Sequence, residues 1–407
     1  MKIIDGGVTA AKGFFAAGCA VGIKKSGKMD MAMIYSENPC MAAGTFTKNL
    51  VKASPVKWDQ TIVYDMPKAQ AIVCNSGVAN ACTGKEGDKY CQEMAETTAK
   101  ALNILPSEVL VASTGVIGKQ LPMDKICKGI EYLVPLLDSS KEGANQAAKA
   151  IMTTDTKAKE IALSFFLGEK EVRIGACAKG SGMIHPNMCT MLAFITTDVH
   201  ISKDLLQKAL SKDIEDTYNM ISVDGDTSTN DTVLLLANAC AGNEKIVEES
   251  EDFAVFCQAL HIVNEFLAKE IAGDGEGATA LFEAKVINAK TKEDARVISK
   301  SIITSTLTKA AIFGHDANWG RILCAMGYSG AHFHPDSVDI YLKSSHGSLK
   351  IVEDGMAVDY SEKEAGHILS DEAVTVMADL KMGKEEALAW GCDLTYDYVK
   401  INADYRS

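Results

Sequence analysis

Between Lys179 and Asp198 the sequence reads KGSGMIHPNMCTMLAFITTD, and no other stretch constrains the local fold as tightly. Gly180, Gly182 and Pro186 make its first half a bent, non-helical loop, because glycine reaches backbone angles other residues avoid and proline cannot continue a helix. The second half, Thr190-Met191-Leu192-Ala193-Phe194-Ile195, is a buried strand by its apolar run. A threonine therefore stands where a tight loop enters a sheet.

That position suits a particular chemistry. If the Cys189–Thr190 peptide is held bent, the Thr190 hydroxyl can attack the carbonyl of Cys189 and turn the amide into an ester. Hydrolysis then leaves Thr190 as a new N-terminus. Its α-amine, with a pKa of about 8, is placed to take the proton of the neighbouring hydroxyl at neutral pH. A threonine paired with its own N-terminal amine is an activated nucleophile; the hydroxyl alone is a poor one. On spacing alone, the commoner role of a threonine opening a buried strand is structural.

The rest of the chain supplies mixed elements. Short apolar runs at Met31–Tyr35, Ala71–Val73 and Glu108–Ala112 lead into Asn, Ser, Thr or Gly and read as strands. Amphipathic helices are expected over Asp88–Leu102, Met123–Leu137 and Lys203–Met220, with Ile126, Ile130, Leu133 and Leu137 on one face. After Thr190 come a strand at Thr232–Ala237, a helix at Asp252–Ile271 and a strand at Leu281–Ile287. Helical stretches follow at Asp294–Leu307 and Trp319–Met326, then a strand at Val338–Leu342. The tail Asp393–Ile401 alternates apolar and polar residues and is expected to be tied into a sheet. Without a regular βαβ rhythm, these elements point to α+β layers rather than a doubly wound sheet. At 407 residues, two domains are expected.

Composition excludes several functions. A net charge of −13 without a Lys/Arg cluster disfavours nucleic acid. None of the 12 cysteines pairs as CxxC, so they read as reduced thiols acting as small hydrophobes. His332 and His334 lack a third ligand, and no metal is expected. Ala16-Ala17-Gly18-Cys19 resembles a lipoprotein cleavage site, but Asp5 and Lys12 interrupt what should precede it. No stretch reaches the ~20 apolar residues of a membrane span, so a cytoplasmic protein is expected.

Eight further motifs, in order along nearly the whole chain, carry a resemblance. They are GTFTKN (Gly44–Asn49), CNSGVANACTG (Cys74–Gly84), ASTGVIG (Ala112–Gly118) and TTDT (Thr153–Thr156) before the junction. After it come DGDTSTNDT (Asp224–Thr232), DGEGAT (Asp274–Thr279), NWGRIL (Asn318–Leu323) and DYVKINADYRS (Asp397–Ser407). Together with the Lys179–Asp198 stretch they resemble the ornithine acetyltransferase family, in which an Ala-Thr junction is cleaved; here that junction is Cys189-Thr190. Cys189 is small, so cleavage is expected to survive the change.

The resemblance implies the residue roles. Thr114 and Gly115 match the family's oxyanion pair, and Thr190 its nucleophile. Lys179 matches a substrate contact whose ammonium can fix an amino-acid carboxylate. Glu276, between Gly275 and Gly277, matches another, suited to an ornithine ammonium or to positioning the amine. Thr153 matches a third, with Thr154 as its neighbour, and Asn402 and Ser407 match binding positions at the C-terminal end, where Ser407 keeps the hydroxyl of the family's usual Thr. Asp226, Asn230 and Asp231 read equally well as a capped turn. Arg321 and Trp319 read as structure.

The resemblance further implies a layered α/β/β/α catalytic domain over residues 1–280 and a smaller C-terminal α/β domain over 281–407. Cleavage gives fragments 1–189 and 190–407, which stay associated and pair into a dimer. The implied reaction is a ping-pong transfer of acetyl from N-acetylornithine to glutamate through acetyl-Thr190. It needs no cofactor, and acetyl-CoA is expected as a second acetyl donor. Two other readings stay open at this stage: an N-terminal-nucleophile aminopeptidase, in which water resolves the ester, and an unprocessed amino-acid-binding protein.

Overall fold

The computed structural model describes residues 1–185 and 191–404. The chain is α+β with two sheets and forms two compact units. The first comprises Met1–Gly180, Pro186–Glu215 and Thr227–Leu267; the second comprises Ser181–His185, Asp216–Asp226 and Ala268–Ser407.

In the first unit the strands are β1 (Lys2–Ile4), β2 (Phe14–Cys19), β3 (Met31–Phe46), β4 (Ala69–Val78), β5 (Val109–Val116), β6 (Lys159–Leu167), β7 (Lys170–Lys179) and β8 (Leu192–Thr197). After β9 (Ile221–Ser222), which belongs to the second unit, β10 (Thr232–Ala237) completes the set. Among the described residues these form a nine-stranded sheet in the order β1-β6-β7-β8-β10-β3-β4-β5, with β2 also paired to β3. The long β3 pairs with β10 through Met41–Phe46 and with β2 and β4 mainly through its earlier half, its register against β4 shifting between Tyr35 and Cys40.

Side chains alternate across a strand, and here both faces are covered. Ala32 and Ile34 of β3, Ile72 and Cys74 of β4 and Leu110 and Ala112 of β5 enter one apolar cluster. Their neighbours Met31, Met33, Ala71, Val73, Val109 and Val111 enter another, together with Ile126, Ile130 and Leu133 of helix α3 (Met123–Leu133). Helix α1 (Ser54–Asp65) and helix α2 (Gly84–Leu102) add Val56, Ile62 and Met94 to these cores, and α4 (Lys141–Ile151) adds Ala144, Ala147 and Ile151. Helix α5 (Lys203–Ile214) ends before the expected Met220, which lies instead in a short 3-10 turn.

Helix α6 (Glu251–Gly273) leads along the chain into the second unit. Its further strands are β11 (Leu281–Ala289), β12 (Asp339–Ser344), β13 (Gly347–Glu353), β14 (Met356–Ala357), β15 (Ala373–Asp379) and β16 (Glu385–Cys392), ordered β14-β13-β12-β15-β11-β16-β9. The expected helix Asp294–Leu307 is two helices, α7 (Lys292–Thr304) and α8 (Thr306–Phe313). The Ser305 side chain accepts from Thr308 N–H and so starts the second one. Helices α9 (Trp319–Gly327) and α10 (Glu362–Leu369) follow.

The tail corrects the sequence reading. Residues Tyr396–Ala403 form helix α11, not a strand. Thr395 is its N-cap, accepting from the N–H of Tyr398, and an N-cap of that kind overrides a short alternating pattern. Among the described residues no helix is long and apolar enough to cross a membrane. Their cysteines are free thiols, mostly buried.

Candidate active site

Parallel strands β4 and β5 end side by side, and their ends are built from two glycines. Gly77 has φ +109° and Gly115 φ +126°, angles that side chains avoid. A Cβ on Gly115 would overlap the backbone of Gly77, so this approach admits glycine alone. The ladder is irregular here, with Val78 opposite both Thr114 and Val116. Three side chains hold the irregular end. Ser113 Oγ donates to Asn75 Oδ1 at 2.6 Å, and Asn75 Nδ2 donates to the Val78 carbonyl at 2.9 Å. Asn230 Nδ2 donates to the carbonyls of Ala79 and Ser113 at 2.5 and 2.8 Å. Asn230, readable as a simple turn residue, thus ties both strand ends together.

Thr114 is nearly buried, and its hydroxyl oxygen lies 3.5 Å from Lys179 Nζ. Lys179 is the last residue of β7 and is itself 8% exposed. A long hydrogen bond of this kind occupies the Thr114 oxygen as acceptor and leaves its hydrogen to point elsewhere. The pair therefore offers an ammonium and a hydroxyl donor beside the Gly115 backbone.

Asp155 supports this arrangement from below. Its carboxylate accepts from Lys159 Nζ at 2.8 Å, Gly180 N–H at 2.7 Å and Thr153 N–H at 2.9 Å. The Asp155 and Lys159 side chains are fully buried. Burial alone would raise the Asp155 carboxyl, but Lys179, Lys159 and the amide donors outweigh it and hold the group well below the usual carboxylate range. One charge thus joins the Thr153-Thr154 loop to the end of β7. A third lysine, Lys24, braces the same loop: its Nζ donates to the carbonyls of Met29 and Met152 at 2.6 and 2.7 Å. Burial pushes its ammonium down to about 8, against the pull of Asp30.

In the second unit, Glu276 sits in a turn closed by Gly277 at φ +70°. Glu276 N–H donates to the Ser181 carbonyl at 3.0 Å, and its Oε2 accepts from Asn402 Nδ2 at 2.8 Å. The Thr395 hydroxyl donates to the Gly277 carbonyl at 2.7 Å, so the cap of α11 also anchors this turn.

The structure thus joins Thr114, Gly115, Thr153 and Lys179 in one unit, with Thr154 next to Thr153 in the chain, and Glu276 with Asn402 in the other. Cys189, Thr190 and Ser407 lie outside the described residues. Asp155, Lys159, Lys24 and Gly77 escaped the sequence reading. Asp155 directly follows the candidate Thr153-Thr154 pair in TTDT and Gly77 lies in the CNSGVANACTG motif, whereas Lys159 and Lys24 lie outside the motifs. Among the described residues, no three His, Cys, Asp or Glu side chains are grouped to hold a metal.

Comparison with known proteins gives one answer. Residues 15–407 match the model of the ArgJ family. The "Arginine biosynthesis bifunctional protein ArgJ 1" of Clostridium acetobutylicum is 55% identical over 98% of this chain and 97% of its own length. The bifunctional protein ArgJ of Caldanaerobacter subterraneus subsp. tengcongensis is 52% identical over the whole of both chains. A crystal structure of the ArgJ protein of Bacillus halodurans superposes with a TM-score of 0.50 at 46% identity, covering 53% of this chain and 99% of that one.

Proposed function

The chain belongs to the ArgJ family, and from that premise we propose how it moves acetyl groups in arginine biosynthesis. It is a bifunctional acetyltransferase that passes acetyl from N-acetylornithine to glutamate and also makes N-acetylglutamate from acetyl-CoA. The nucleophile is Thr190, freed by cleavage of the chain after Cys189. In that first step the Thr190 hydroxyl adds to the Cys189 carbonyl, the C–N bond breaks and an ester forms. Water then splits the ester into a Cys189 carboxylate and a Thr190 with a free amine and hydroxyl.

In transfer, the Thr190 amine takes the hydroxyl proton as the oxygen attacks the acetyl carbonyl of N-acetylornithine. The oxyanion is met by the Thr114 hydroxyl and the Gly115 N–H; donors of this kind lower a barrier by roughly 3–4 kcal/mol each. The C–N bond breaks, the proton passes to the departing amine, and ornithine leaves acetyl-Thr190. The glutamate amine attacks that ester by the same route in reverse and carries the acetyl away. Lys179 and Thr153, with Thr154 beside it, serve as substrate contacts in the first unit, and Glu276 and Asn402, with Ser407, as substrate contacts in the second.

One observation carries this reading: the Lys179 ammonium at the Thr114 hydroxyl, on the strand whose continuation runs into the Cys189-Thr190 junction. The Bacillus halodurans chain, nearly all of which aligns to 53% of this one, also has the length a processed fragment would have. Two fragment pairs per particle are proposed from the family resemblance.

Mass spectrometry of the purified protein mixed with acetylornithine tests the proposal. The expected result is two fragments, with a gain of about 42 Da, one acetyl, confined to 190–407. Thr190→Ala should stay whole and inactive. An active wild-type chain that remains continuous through position 190 overturns the reading, and ornithine released at full rate without glutamate assigns a hydrolase instead.

A further inference from the structure

Asp224, the first residue of the DGDTSTNDT motif, has no part in the transfer chemistry, yet its carboxylate accepts four hydrogen bonds. Asp224 Oδ2 accepts from Met183 N–H at 2.7 Å and from the Tyr398 hydroxyl at 3.2 Å. Its Oδ1 accepts from Ile184 N–H at 2.9 Å and from Asp226 N–H at 3.2 Å. Two of these donors belong to the segment that leads into the junction, and one to helix α11. A carboxylate held by amide donors gives hydrogen bonds about twice as strong as neutral ones.

The rest of the leading segment is held as fully. Ser181 Oγ donates to the Asp274 carbonyl at 2.7 Å, and the Ser181 carbonyl accepts from Glu276 N–H. The Ile184 carbonyl accepts from Val223 N–H at 2.7 Å and from Ser222 Oγ at 3.2 Å. His185 Nδ1 pairs with the same Ser222 hydroxyl at 3.1 Å. Gly182 lies so close to the Glu276 carboxylate that a Cβ would overlap it. Met183 is bent to φ +56°, a left-handed angle rare for a side chain of its size. A non-glycine residue keeps such an angle only where its surroundings impose it, and the Asp224 carboxylate gathers the N–H groups on both sides of the bend.

We propose that Asp224, seconded by Tyr398, is a positioning residue for self-cleavage: it fixes the bent segment Ser181–His185 as the upstream anchor of the Cys189-Thr190 junction. The inference rests on the cleavage reading given above and adds to it a residue that acts before, not during, acetyl transfer. A hydroxyl can attack the carbonyl of the preceding residue only from a narrow set of backbone conformations. Pinning the chain a few residues upstream removes most of the competing ones, which is a gain in orientation rather than in bond chemistry. Once the bond is cut the anchor has done its task. Its loss should therefore slow processing without changing the turnover of molecules already processed.

The experiment follows precursor made by cell-free translation on a denaturing gel over time, for wild type, Asp224→Ala and Tyr398→Phe. Acetyl transfer is measured in parallel, per mole of cleaved chain. Asp224→Ala should cut at least about tenfold more slowly, and Tyr398→Phe about two- to fivefold, with turnover of the cleaved fraction unchanged. A role confined to general stability would lower melting temperature and turnover together; here the cleavage rate moves alone. If Asp224→Ala fails to fold, Tyr398→Phe decides, because it removes a single half-buried hydroxyl. A wild-type chain that never cuts overturns the cleavage reading itself. A wild type that cuts, beside variants that cut equally fast, overturns this inference and leaves that reading standing.

Discussion

Lys179 Nζ lies 3.5 Å from Thr114 Oγ1, although 65 residues separate the two along the chain. The ammonium takes up the hydroxyl oxygen and leaves the hydroxyl hydrogen available for a developing negative charge. Thr114→Ala deletes that donor and keeps the backbone. The expected result is a fall in kcat of about 10²–10³-fold with little change in the KM for acetylornithine, since the donor acts on charge that develops only in the transition state. Steady-state kinetics on the cleaved enzyme measures both constants, and an unchanged kcat removes Thr114 from the proposed role.

Gly115→Ala tests the backbone beneath it. The new Cβ would meet the Gly77 backbone, and φ +126° disfavours any side chain. Neither neighbour can yield, because each ends a strand of the same parallel pair. A loss of about 1–3 kcal/mol in urea unfolding is expected, together with the loss of most transfer activity. A variant as stable as wild type would show that the two strand ends can spread.

Lys159 and Asp155 form a buried ion pair, and breaking one side is worse than removing both. Lys159→Met strips the carboxylate of its closest cation and should cost about 3–5 kcal/mol, measured by chemical denaturation. Adding Asp155→Asn should recover part of that loss, because no buried anion is left short of its partner. Simple additivity of the two substitutions would rule out the coupling.

His185 gives a dependence on pH. Burial, aided by the positive charge of Lys300 and opposed by Asp224, pushes its imidazole down from 6.5 to about 4. Between those values the unfolded chain binds a proton that the folded chain refuses, so unfolding takes one up and stability rises with pH. The contribution is complete above pH 6.5 and is lost as the pH falls towards 4. His185→Gln should flatten the acid-side slope of unfolding free energy in that window by up to about one proton. A slope unaltered by the substitution would mean that the ring is protonated in the fold.

Much of this was legible beforehand, and the remainder was hidden for definite reasons. The strand Thr232–Ala237 was readable to the residue because a short apolar run had turn residues before it. Ile126, Ile130 and Leu133 are buried as their spacing requires. The tail was misread because its alternation covers too few residues to outweigh the Thr395 cap. Lys159 reads as a surface lysine in sequence, and only the fold supplies the carboxylate that lets it be buried. Asn230 works through Ser113, 117 residues away, and Asp224 through Tyr398, 174 residues away. Pairings at such distances leave no mark in local spacing. Thr114, Gly115 and Lys179 were singled out as candidates through family resemblance; composition and periodicity alone would have left them a turn and a solvated lysine.

The strand order predicts what becomes of the two fragments. A cut before residue 190 puts β7 in one fragment and β8 in the other, yet the two are antiparallel neighbours from Lys179–Leu192 to Ile174–Thr197. On the far side of β8, β10 pairs with β3 from Thr232–Phe46 to Ala237–Met41. Two strands of the later fragment are thus inserted between strands of the earlier one, and Phe194, Leu234 and Leu236 enter the same apolar cluster as Ala32 and Ile34. Neither fragment can keep a continuous sheet alone: separation would expose the strand edges on both sides of β8–β10 and the core they cover. The fragments should co-purify without a covalent link, and the strands they share in this sheet should be lost in a single urea transition followed by circular dichroism. Fragments that separate on a sizing column in native buffer, each still folded, would contradict this strand order.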